Sequence, residues 1–386
     1  MFTRWMKIDP RKSVLIIGPR RSGKTTFLKA ACPDYSYTTL DDLDLLDWAK
    51  RDPKGFVSRL GPRGIIDEIQ RSPQLTVAVK YAIDNEGARI LMTGSSSIGL
   101  LDAAADTMAG RVELYSMPTA CWGEERGEPD HALFTDEPSP LNIKEAMRSL
   151  DDAMTFGGFP EVVAAGSAEE KETILRNYKN TYFVRDLMQM ANLENVEGLQ
   201  AILANIGRSI GSHLEISNFA RESNLSVPTT RKYLNTLYRS ELAFRLYGYQ
   251  FGPAKRFVKA AKSYFVDNGI IAGLNLRLNE GQLLENFVIA ELEKRRKLGF
   301  IKAEQFFYYK SQAGREIDLV FEVNGVRHAV EIKATRTPTV RDAANLRDFI
   351  AQSDGPTKGF LFHLGEEWKE IDGVICLPVA TLYRGT

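Results

Sequence analysis

A glycine-rich stretch near the amino terminus, directly after the apolar run Val14-Leu15-Ile16-Ile17, most constrains the fold. Glycines in this setting let backbone N–H groups surround phosphate oxygens, and the next helix directs its positive end at the same charge. Lys24 is expected to reach the β- and γ-phosphates, and Thr25 to coordinate Mg²⁺. A turn with a chance Lys-Thr is the weaker alternative, because a strand precedes it. The pattern G-x-x-x-x-G-K-[ST] is matched at every position by Gly18, Pro19, Arg20, Arg21, Ser22, Gly23, Lys24 and Thr25, and Thr26 begins the helix.

A second strand ends in two acids, Ile65-Ile66-Asp67-Glu68. Hydrolysis of a bound triphosphate needs a carboxylate that orders the metal ion and a group that activates water. We expect Asp67 to hold Mg²⁺ through water and Glu68 to polarise the attacking water. A strand that ends in two acids is common, so hydrolysis is favoured only in combination with the loop upstream.

A third apolar strand, Ile90 to Ser97, ends in small polar residues. Open α/β sheets bind ligands at the carboxyl ends of their strands, which would let Ser95 sense the γ-phosphate. A hydroxyl at this position also caps helices. Both roles remain open for Ser95.

Five stretches together resemble the bacterial and archaeal AAA-type ATPases whose C-terminal half carries a DUF4143-type region, and the likeness spans nearly the whole chain. The resemblance implies that Ser95 is the first sensor and that Arg111 acts as a finger on a neighbouring subunit's nucleotide. A finger that acts on a neighbour implies a ring, expected to be a hexamer; an ordinary surface salt bridge is the alternative role of Arg111. The stretches are GPRRSGKTT, IIDEIQ, ILMTGSSS, AGRVELYSMPTACWGEE and TFGGFPEVV.

The same resemblance places Gly157-Gly158-Phe159-Pro160 near the adenine ring, at the start of a helical lid. Paired glycines and a proline also fix a tight turn without any ligand. Arg185 is the candidate for the second sensor, and an ion pair is its alternative role.

The middle of the chain predicts a helix-turn-helix followed by a two-stranded wing. Helices are expected at 216–223 and 228–240, and strands at 241–249 and 262–266. Thr229, Thr230, Arg231 and Lys232 would begin the recognition helix and approach a groove of DNA. Winged helices also bind proteins, so DNA is not the only partner the pattern allows. Only Glu222 and Glu241 oppose a local basic set, which comprises Arg221, Arg231, Lys232, Arg239, Arg245, Lys255, Arg256, Lys259 and Lys262.

Near the carboxyl end, Arg315 to Phe321 predicts a strand, Asn324-Gly325 a hairpin turn, and Val326 to Lys333 the returning strand. Glu331 and Lys333 are two residues apart, so their side chains share one face. The hairpin is expected to bring Asp318 beside them. Surface alternation of Glu and Lys explains such a pair by itself, and Asp318 together with Glu285 reverses that preference.

This arrangement resembles the PD-(D/E)xK nuclease core. The resemblance implies that Asp318 and Glu331 are metal ligands and that Lys333 stabilises the attacking hydroxide or the pentavalent charge. Glu285, on the preceding helix, matches the extra acid of junction-cleaving and restriction-type enzymes. Ile317 stands where the family's name has proline, a departure that weakens recognition more than chemistry. Such domains also persist as DNA-binding scaffolds that do not cut.

Composition limits which partners and which cellular location the chain can have. The 386 residues carry 50 Lys plus Arg and 50 Asp plus Glu, so affinity for DNA must come from local patches. Three isolated cysteines argue against disulfides and a zinc site, and the lack of a long apolar run indicates a cytoplasmic protein without a membrane partner. We expect an α/β P-loop AAA+ core (1–145), a helical lid (146–195), a winged helix (196–275) and a restriction-endonuclease-like domain (276–386).

These expectations describe an ATP- and Mg²⁺-dependent ATPase that processes DNA, with branched DNA such as a Holliday junction as a plausible substrate. The alternative is a nucleotide-gated signalling or defence switch whose C-terminal half binds protein or DNA without cutting it.

Overall fold

The computed structural model describes residues 2–9, 11–94, 108–181, 187–190, 195–250, 261–311 and 313–386. It separates into two compact units. The amino-terminal unit holds Arg4–Thr119 and Arg239–Glu241, and the carboxyl-terminal unit holds Ala120–Tyr238, Leu242–Thr386 and the residues before Arg4. Apart from Arg239–Glu241, the three parts predicted after residue 145 therefore share one unit, and the finer division into lid, winged helix and nuclease-like domain stays a prediction.

The amino-terminal unit is built on a parallel sheet of five strands in the order β2-β3-β4-β1-β5. Parallel strands are covered on both faces, which explains the continuous apolar runs that predicted them. The strands are β1 Ser13–Ile17, β2 Ser36–Thr39, β3 Arg63–Asp67, β4 Arg89–Gly94 and β5 Val112–Ser116. The helices are α1 Lys24–Ala31, α2 Leu43–Arg51, α3 Pro53–Arg59 and α4 Leu75–Glu86.

The register of this sheet brings the predicted nucleotide residues to one edge. Ile17, the last residue of β1, pairs with Gly94 of β4 and with Ser116 of β5. Asp67 ends β3, which is the other neighbour of β4. The carboxyl ends of parallel strands meet at the same edge, so the loop after β1 and the acid after β3 flank the end of β4. Ser95, predicted just beyond β4, lies outside the described residues.

The carboxyl-terminal unit combines helices with an eight-stranded sheet in the order β12-β13-β11-β10-β9-β8-β6-β7. The strands are β6 Ala243–Gly248, β7 Lys262–Phe265, β8 Phe307–Lys310, β9 Glu316–Val323, β10 Val326–Lys333, β11 Thr357–His363, β12 Lys369–Ile371 and β13 Val374–Pro378. The described helices are α5 Pro140–Phe156, α6 Pro160–Val163, α7 Ala168–Tyr178, α8 Leu187–Met190, α9 Val196–Arg208, α10 Ile216–Glu222, α11 Val227–Arg239, α12 Asn268–Gly273, α13 Glu280–Lys297 and α14 Ala344–Gln352.

The two strands predicted as a wing form an antiparallel pair, but they do not stand alone. β6 also pairs in parallel with β8 through Tyr247 and Phe307, so the pair continues the carboxyl-terminal sheet. The sheet thus crosses the boundary predicted at residue 275. The hairpin predicted between β9 and β10 is confirmed, with Val323 opposite Val326 and both turn residues, Asn324 (φ 51°) and Gly325 (φ 77°), in the left-handed region that a tight turn requires.

A buried ionic network joins α13 to the segments around it. Lys294 donates to Asp267 at 2.9 Å, to Glu291 at 2.8 Å and to the carbonyl of Ala120 at 3.0 Å. The N–H of Gly158 donates to both carboxylate oxygens of Asp267, at 3.1 and 3.0 Å. Close packing of Asp267 and Ala120 therefore accounts for the Gly157-Gly158 pair without a ligand.

No helix in the described ranges is long and apolar enough to cross a lipid bilayer.

Candidate functional site

The glycine-rich loop packs tightly against the chain that follows β5. A Cβ added at Gly18 would lie 2.2 Å from the carbonyl oxygen of Met117, so a side chain at this position would displace the loop. Gly23 caps α1 with φ 91°, a left-handed conformation that side chains rarely adopt. Both glycines of the pattern are therefore required by the backbone path.

Lys24 lies over the loop that precedes it. Its side chain is buried, and Nζ donates to the carbonyls of Gly18 at 3.0 Å and Pro19 at 2.9 Å. Burial lowers the pKa of Lys24 to about 8. The ammonium therefore lies against the loop, and its contact with a bound phosphate stays a prediction.

Asp67 is the centre of a hydrogen-bond network at the end of β3. Oδ1 accepts a hydrogen bond from Thr25 Oγ1 at 2.7 Å and another from Thr93 Oγ1, and Oδ2 accepts one from the Tyr37 hydroxyl at 3.0 Å. Thr25 and Asp67 thus place a hydroxyl and a carboxylate side by side, and oxygen ligands of this kind suit Mg²⁺. The donor set fits a magnesium ion held by these two residues.

Thr93 and Tyr37 are members of this network that the sequence did not single out. Thr93 is the fifth residue of β4 and is fully buried. Its hydroxyl also accepts the backbone N–H of Glu68 at 3.2 Å. A polar residue near the end of a buried strand, next to the strand that carries Asp67, is the signal that would have indicated it.

Glu68 follows β3 in a left-handed conformation, with φ 59°. Few residues other than glycine adopt this region, and strained backbone is often found at functional sites. The carboxylate of Glu68 accepts a hydrogen bond from the side-chain amide of Gln70. The acid predicted to activate water is therefore oriented by a residue two positions along.

Arg111 lies at the opposite edge of the sheet from the loop. It precedes Val112, which pairs with Ser13 at the start of β1, so five residues of strand, about 16 Å, separate it from the loop edge. Its Nε donates to Asp84 Oδ1 at 2.7 Å and Oδ2 at 2.8 Å. Within the chain, the structure does not bring Arg111 to Lys24 or Asp67.

The hairpin of the carboxyl-terminal unit brings together Asp318, Glu331 and Lys333. Asp318 Oδ2 accepts the N–H of Ile332 at 2.8 Å, and Lys333 Nζ donates to Glu331 Oε1 at 2.6 Å. Glu331 is 2 % exposed, and its Oε2 has no hydrogen-bond partner in the part of the chain that the structure describes. The expected juxtaposition of these three side chains is present.

These carboxylates disfavour one another's charge. Burial, followed by the negative charge of Asp318, raises the pKa of Glu331 to about 8, and the same two causes raise the pKa of Glu285 to about 7. Burial also raises the pKa of Asp318. Glu285 lies on α13 and accepts a hydrogen bond from the Tyr264 hydroxyl at 2.7 Å. Because they influence one another, we refer to Glu285, Glu316, Asp318 and Glu331 as the carboxylate cluster.

Lys262 belongs to this cluster and not to a surface patch, which corrects its predicted place in the basic set. The side chain is 1 % exposed; its ammonium contacts Glu316 and lies 3.9 Å from Glu285 Oε1. Burial opposes the charge of Lys262, but the negative charges of Asp318, Glu285 and Glu316 together outweigh burial and raise its pKa. Lys262, Tyr264 and Glu316 are the residues of this site that sequence patterns missed.

A half-buried and a buried carboxylate on neighbouring strands fit a magnesium ion, since Mg²⁺ keeps several waters and takes one or two carboxylates from a protein. Asp318 and Glu331 would hold it, and the unpaired Oε2 of Glu331 supplies a free ligand atom. Among the described residues, no three His, Cys, Asp or Glu side chains are arranged to bind a metal by themselves. Water would have to complete any such site.

The predicted recognition helix is only partly exposed. Thr230 is fully buried, and its hydroxyl donates to the carbonyl of Ser226 at 3.0 Å. The prediction that Thr230 approaches a groove of DNA is therefore wrong. The side chains of Arg231 and Lys232 are exposed, as is Arg245, whose guanidinium lies 4.9 Å from the ring centre of Tyr238. Outside the described residues lie Arg185, Lys255, Arg256 and Lys259.

A five-stranded parallel sheet with a phosphate-binding loop after β1 and an acid after β3 defines a P-loop nucleotide-binding domain. Residues 10–125 match the family model of an AAA domain, and residues 280–382 match a domain of unknown function, DUF4143. The chain therefore carries an AAA-type ATPase domain at its amino terminus and a DUF4143 domain at its carboxyl terminus, as its motifs indicate. The AAA domain supports ATPase activity and implies nucleotide binding. Residues 147–281 match a further domain of unknown function, DUF8612.

Relatives occur in bacteria and archaea. An uncharacterized protein of Mycobacterium tuberculosis is 26% identical over 340 residues, which covers 85% of this chain and 71% of the relative. An uncharacterized protein of Methanocaldococcus jannaschii is 27% identical over 355 residues and covers 85% of this chain and 79% of the relative. Both alignments extend over most of the two chains.

Two solved structures resemble the chain only weakly. A signal transduction ATPase (STAND) with a tetratricopeptide repeat sensor, from Pyrococcus horikoshii, is 12% identical, with a TM-score of 0.23; the match covers 77% of this chain and 46% of that one. A type III CRISPR defence DNA nuclease activated by cyclic oligoadenylate is 13% identical, with a TM-score of 0.18 and coverage of 97% and 52%. This chain spans about half the length of either protein, and TM-scores this low support no inference about function.

Proposed function

We propose that the chain is a Mg²⁺-dependent ATPase that processes DNA, with its carboxyl-terminal unit binding the DNA and cutting it at the carboxylate cluster. The observation that carries this proposal is the juxtaposition of Asp318, Glu331 and Lys333 on one hairpin, in a chain that also carries an AAA domain. Branched DNA, such as a Holliday junction, is the proposed substrate class, on the resemblance to junction-cleaving enzymes.

At the nucleotide site, the loop amides and Lys24 bind the phosphates of ATP. Thr25 and Asp67 hold Mg²⁺, which offsets phosphate charge when bound. Glu68 accepts a proton from the attacking water, and Gln70 orients its carboxylate. The hydrogen bond between the Glu68 N–H and Thr93 supports this role, because it ties the acid to the buried end of β4. Ser95 remains a proposed sensor of the γ-phosphate.

At the carboxylate cluster, Asp318 and Glu331 hold Mg²⁺ and Lys333 stabilises the negative charge that builds up on the scissile phosphate. Glu285, which lies on α13 and not on the hairpin, supplies the additional acid. The exposed cations of α11 and β6 bind DNA phosphates and release the counterions bound there. Affinity should therefore fall steeply as the salt concentration rises, because release into a more concentrated salt solution is less favourable.

A nucleotide-gated switch that binds a partner without cutting is the second candidate. The ammonium of Lys262 favours it, because this buried cation already balances part of the cluster's negative charge. In such a switch, the hairpin would serve as a binding scaffold whose engagement follows the nucleotide state.

Cleavage assays separate the two candidates. Wild type, Lys333→Ala and Glu331→Gln are incubated with branched and linear DNA in Mg²⁺, with and without ATP. Cleavage by wild type alone supports the nuclease. Intact DNA in every reaction contradicts cleavage, and ATP turnover stimulated by DNA would then still support a DNA-dependent ATPase.

We further propose a ring, expected to be a hexamer, in which Arg111 reaches a neighbour's nucleotide. Its location at the edge remote from its own loop supports action in trans, and Asp84 would release it on assembly. Mass measurement with and without ATP tests the ring. A monomer under both conditions contradicts the role of Arg111.

A further inference from the structure

A buried arginine from the amino-terminal segment contacts the phosphate loop. Arg4 is 8 % exposed, although it precedes the first strand by nine residues. One guanidinium nitrogen donates to the carbonyl of Ser22 at 2.5 Å, and another donates to the carbonyl of Pro118 at 2.9 Å. The next residues, Trp5 and Met6, are buried as well, so this part of the segment is packed into the unit.

The contact with Ser22 has a geometric consequence for the loop. Because the peptide bond is planar and trans, the carbonyl of Ser22 and the N–H of Gly23 point in opposite directions. A hydrogen bond that holds this carbonyl therefore also fixes the direction of the Gly23 N–H, one of the amides expected to surround phosphate. Ser22 is fully buried, and its hydroxyl has no hydrogen-bond partner within the described ranges, so its backbone is the part that is held.

The second contact ties the same guanidinium to the chain after β5. Pro118 follows Met117, whose carbonyl packs against Gly18 and whose N–H donates to Ile17 at 2.7 Å. Met117 thus supports the beginning of the loop, and Arg4 joins the residue after it to the end of the loop. A forked, permanently charged guanidinium can hold two carbonyls at once, which a single ammonium does less well.

We propose that Arg4 is a positioning residue of the nucleotide site, which orients the Gly23 amide toward phosphate and couples the loop to the segment after β5. The inference rests on the proposed binding of ATP at this loop. Arg4 touches no phosphate itself; it acts through the peptide between Ser22 and Gly23.

Binding titrations with ATP and with adenosine test the proposal. Loss of a charge-assisted hydrogen bond that aligns one amide should weaken ATP binding by Arg4→Met about tenfold. Adenosine lacks phosphate, so its affinity should change less than about twofold. Arg4→Lys keeps the charge and should give an intermediate loss. Arg11→Met is the matched control, because Arg11 lies in the same segment with 82% of its side chain exposed and pairs with Asp9.

Equal losses for ATP and adenosine, or an unchanged ATP affinity, overturn the proposal. If Arg4→Met does not fold, Arg4→Lys tests the proposal instead. This variant must bind ATP more weakly than wild type while its affinity for adenosine is unchanged. Amide hydrogen exchange of the nucleotide-free protein distinguishes failure of this inference from failure of ATP binding. If wild type binds no ATP, faster exchange over residues 18–25 in the Arg4 variant than in Arg11→Met still supports the role of Arg4, and equal exchange overturns it.

Discussion

The hydroxyl of Thr25 donates to the carboxylate of Asp67 over 2.7 Å, which joins the first turn of α1 to the end of β3. Thr25→Ala removes one of the two side chains that fit Mg²⁺. We expect ATP turnover to fall at least about a hundredfold, because a misplaced metal misaligns the reacting phosphate. Thr25→Ser keeps the hydroxyl and should retain most activity. Steady-state turnover over a series of Mg²⁺ concentrations measures both, and equal activity of the Ala and Ser variants would contradict the assignment.

Glu68→Gln is expected to stop turnover while ATP still binds. The amide keeps the size of the side chain but cannot take a proton from water. Lys24→Ala provides the contrast, since it removes the cation that meets the phosphates and should lose binding as well. Equilibrium binding measured beside phosphate release separates the two variants. A Glu68→Gln protein that hydrolyses ATP at the wild-type rate shows that another group activates the water.

The residues that could be predicted from the sequence are those that belong to one short contiguous motif. Gly18 to Thr25, Asp67 and Glu68 all follow single apolar strands, and a parallel sheet brings such positions to one edge. Thr93 and Tyr37 were not predicted, because their contact with Asp67 depends on strand order, which places β4 and β2 on either side of β3. Strand order is set by packing between distant segments, and local patterns do not contain it.

Lys262 shows the same limit more sharply. Its neighbours in sequence are basic, so charge counting assigned it to a surface. The structure instead pairs β6 with both β7 and β8, which carries Lys262 into the sheet beside Glu316. Asp318, Glu331 and Lys333 were predictable because a tight Asn-Gly turn fixes their register within a single hairpin.

Removing the buried charge of Lys262 should destabilise the fold. Lys262→Met leaves Glu285 without this cation and leaves Glu316 with only the more exposed Lys310, and breaking a buried ion pair costs about 3–5 kcal/mol. Lys310→Met is the matched control, because Lys310 lies 3.5 Å from the same Glu316 but is 37% exposed, and an exposed pair contributes about 0–1 kcal/mol. Thermal unfolding of wild type and both lysine variants measures the loss of stability. Partial recovery by Lys262→Met with Glu316→Gln would confirm the electrostatic cause, and equal losses for the two lysine variants would contradict it.

Gly158→Ala should disrupt the ionic network around α13. A Cβ at this position would lie 2.2 Å from the carbonyl oxygen of Ala120, the group that also accepts from Lys294. Backbone must shift to relieve this contact, and overpacking of this kind costs about 1–3 kcal/mol. Gly166→Ala is the control, since its nearest neighbour would be 3.9 Å away. Denaturant unfolding measures the difference, and equal stability of the two variants would show that the glycine pair has another purpose.

A buried histidine predicts how stability depends on pH. His363 is fully buried at the end of β11, its Nδ1 accepts the N–H of Gly365 at 3.0 Å, and burial lowers its pKa to about 4. Between the ordinary value of about 6.5 and this value, the unfolded chain binds a proton that the folded chain does not. Stability should therefore decrease as pH falls from about 6.5 to about 4.

His363→Gln isolates this contribution, because other groups titrate equally in both proteins. The stability of wild type relative to the variant should be constant above about pH 7.5 and should decline as the pH falls through 6.5 toward 4, since only wild type carries the group that gains a proton on unfolding. Thermal unfolding of both proteins across this range measures the difference. A difference that does not change between pH 7 and pH 4 would mean that His363 is protonated as readily in the folded chain as in the unfolded one.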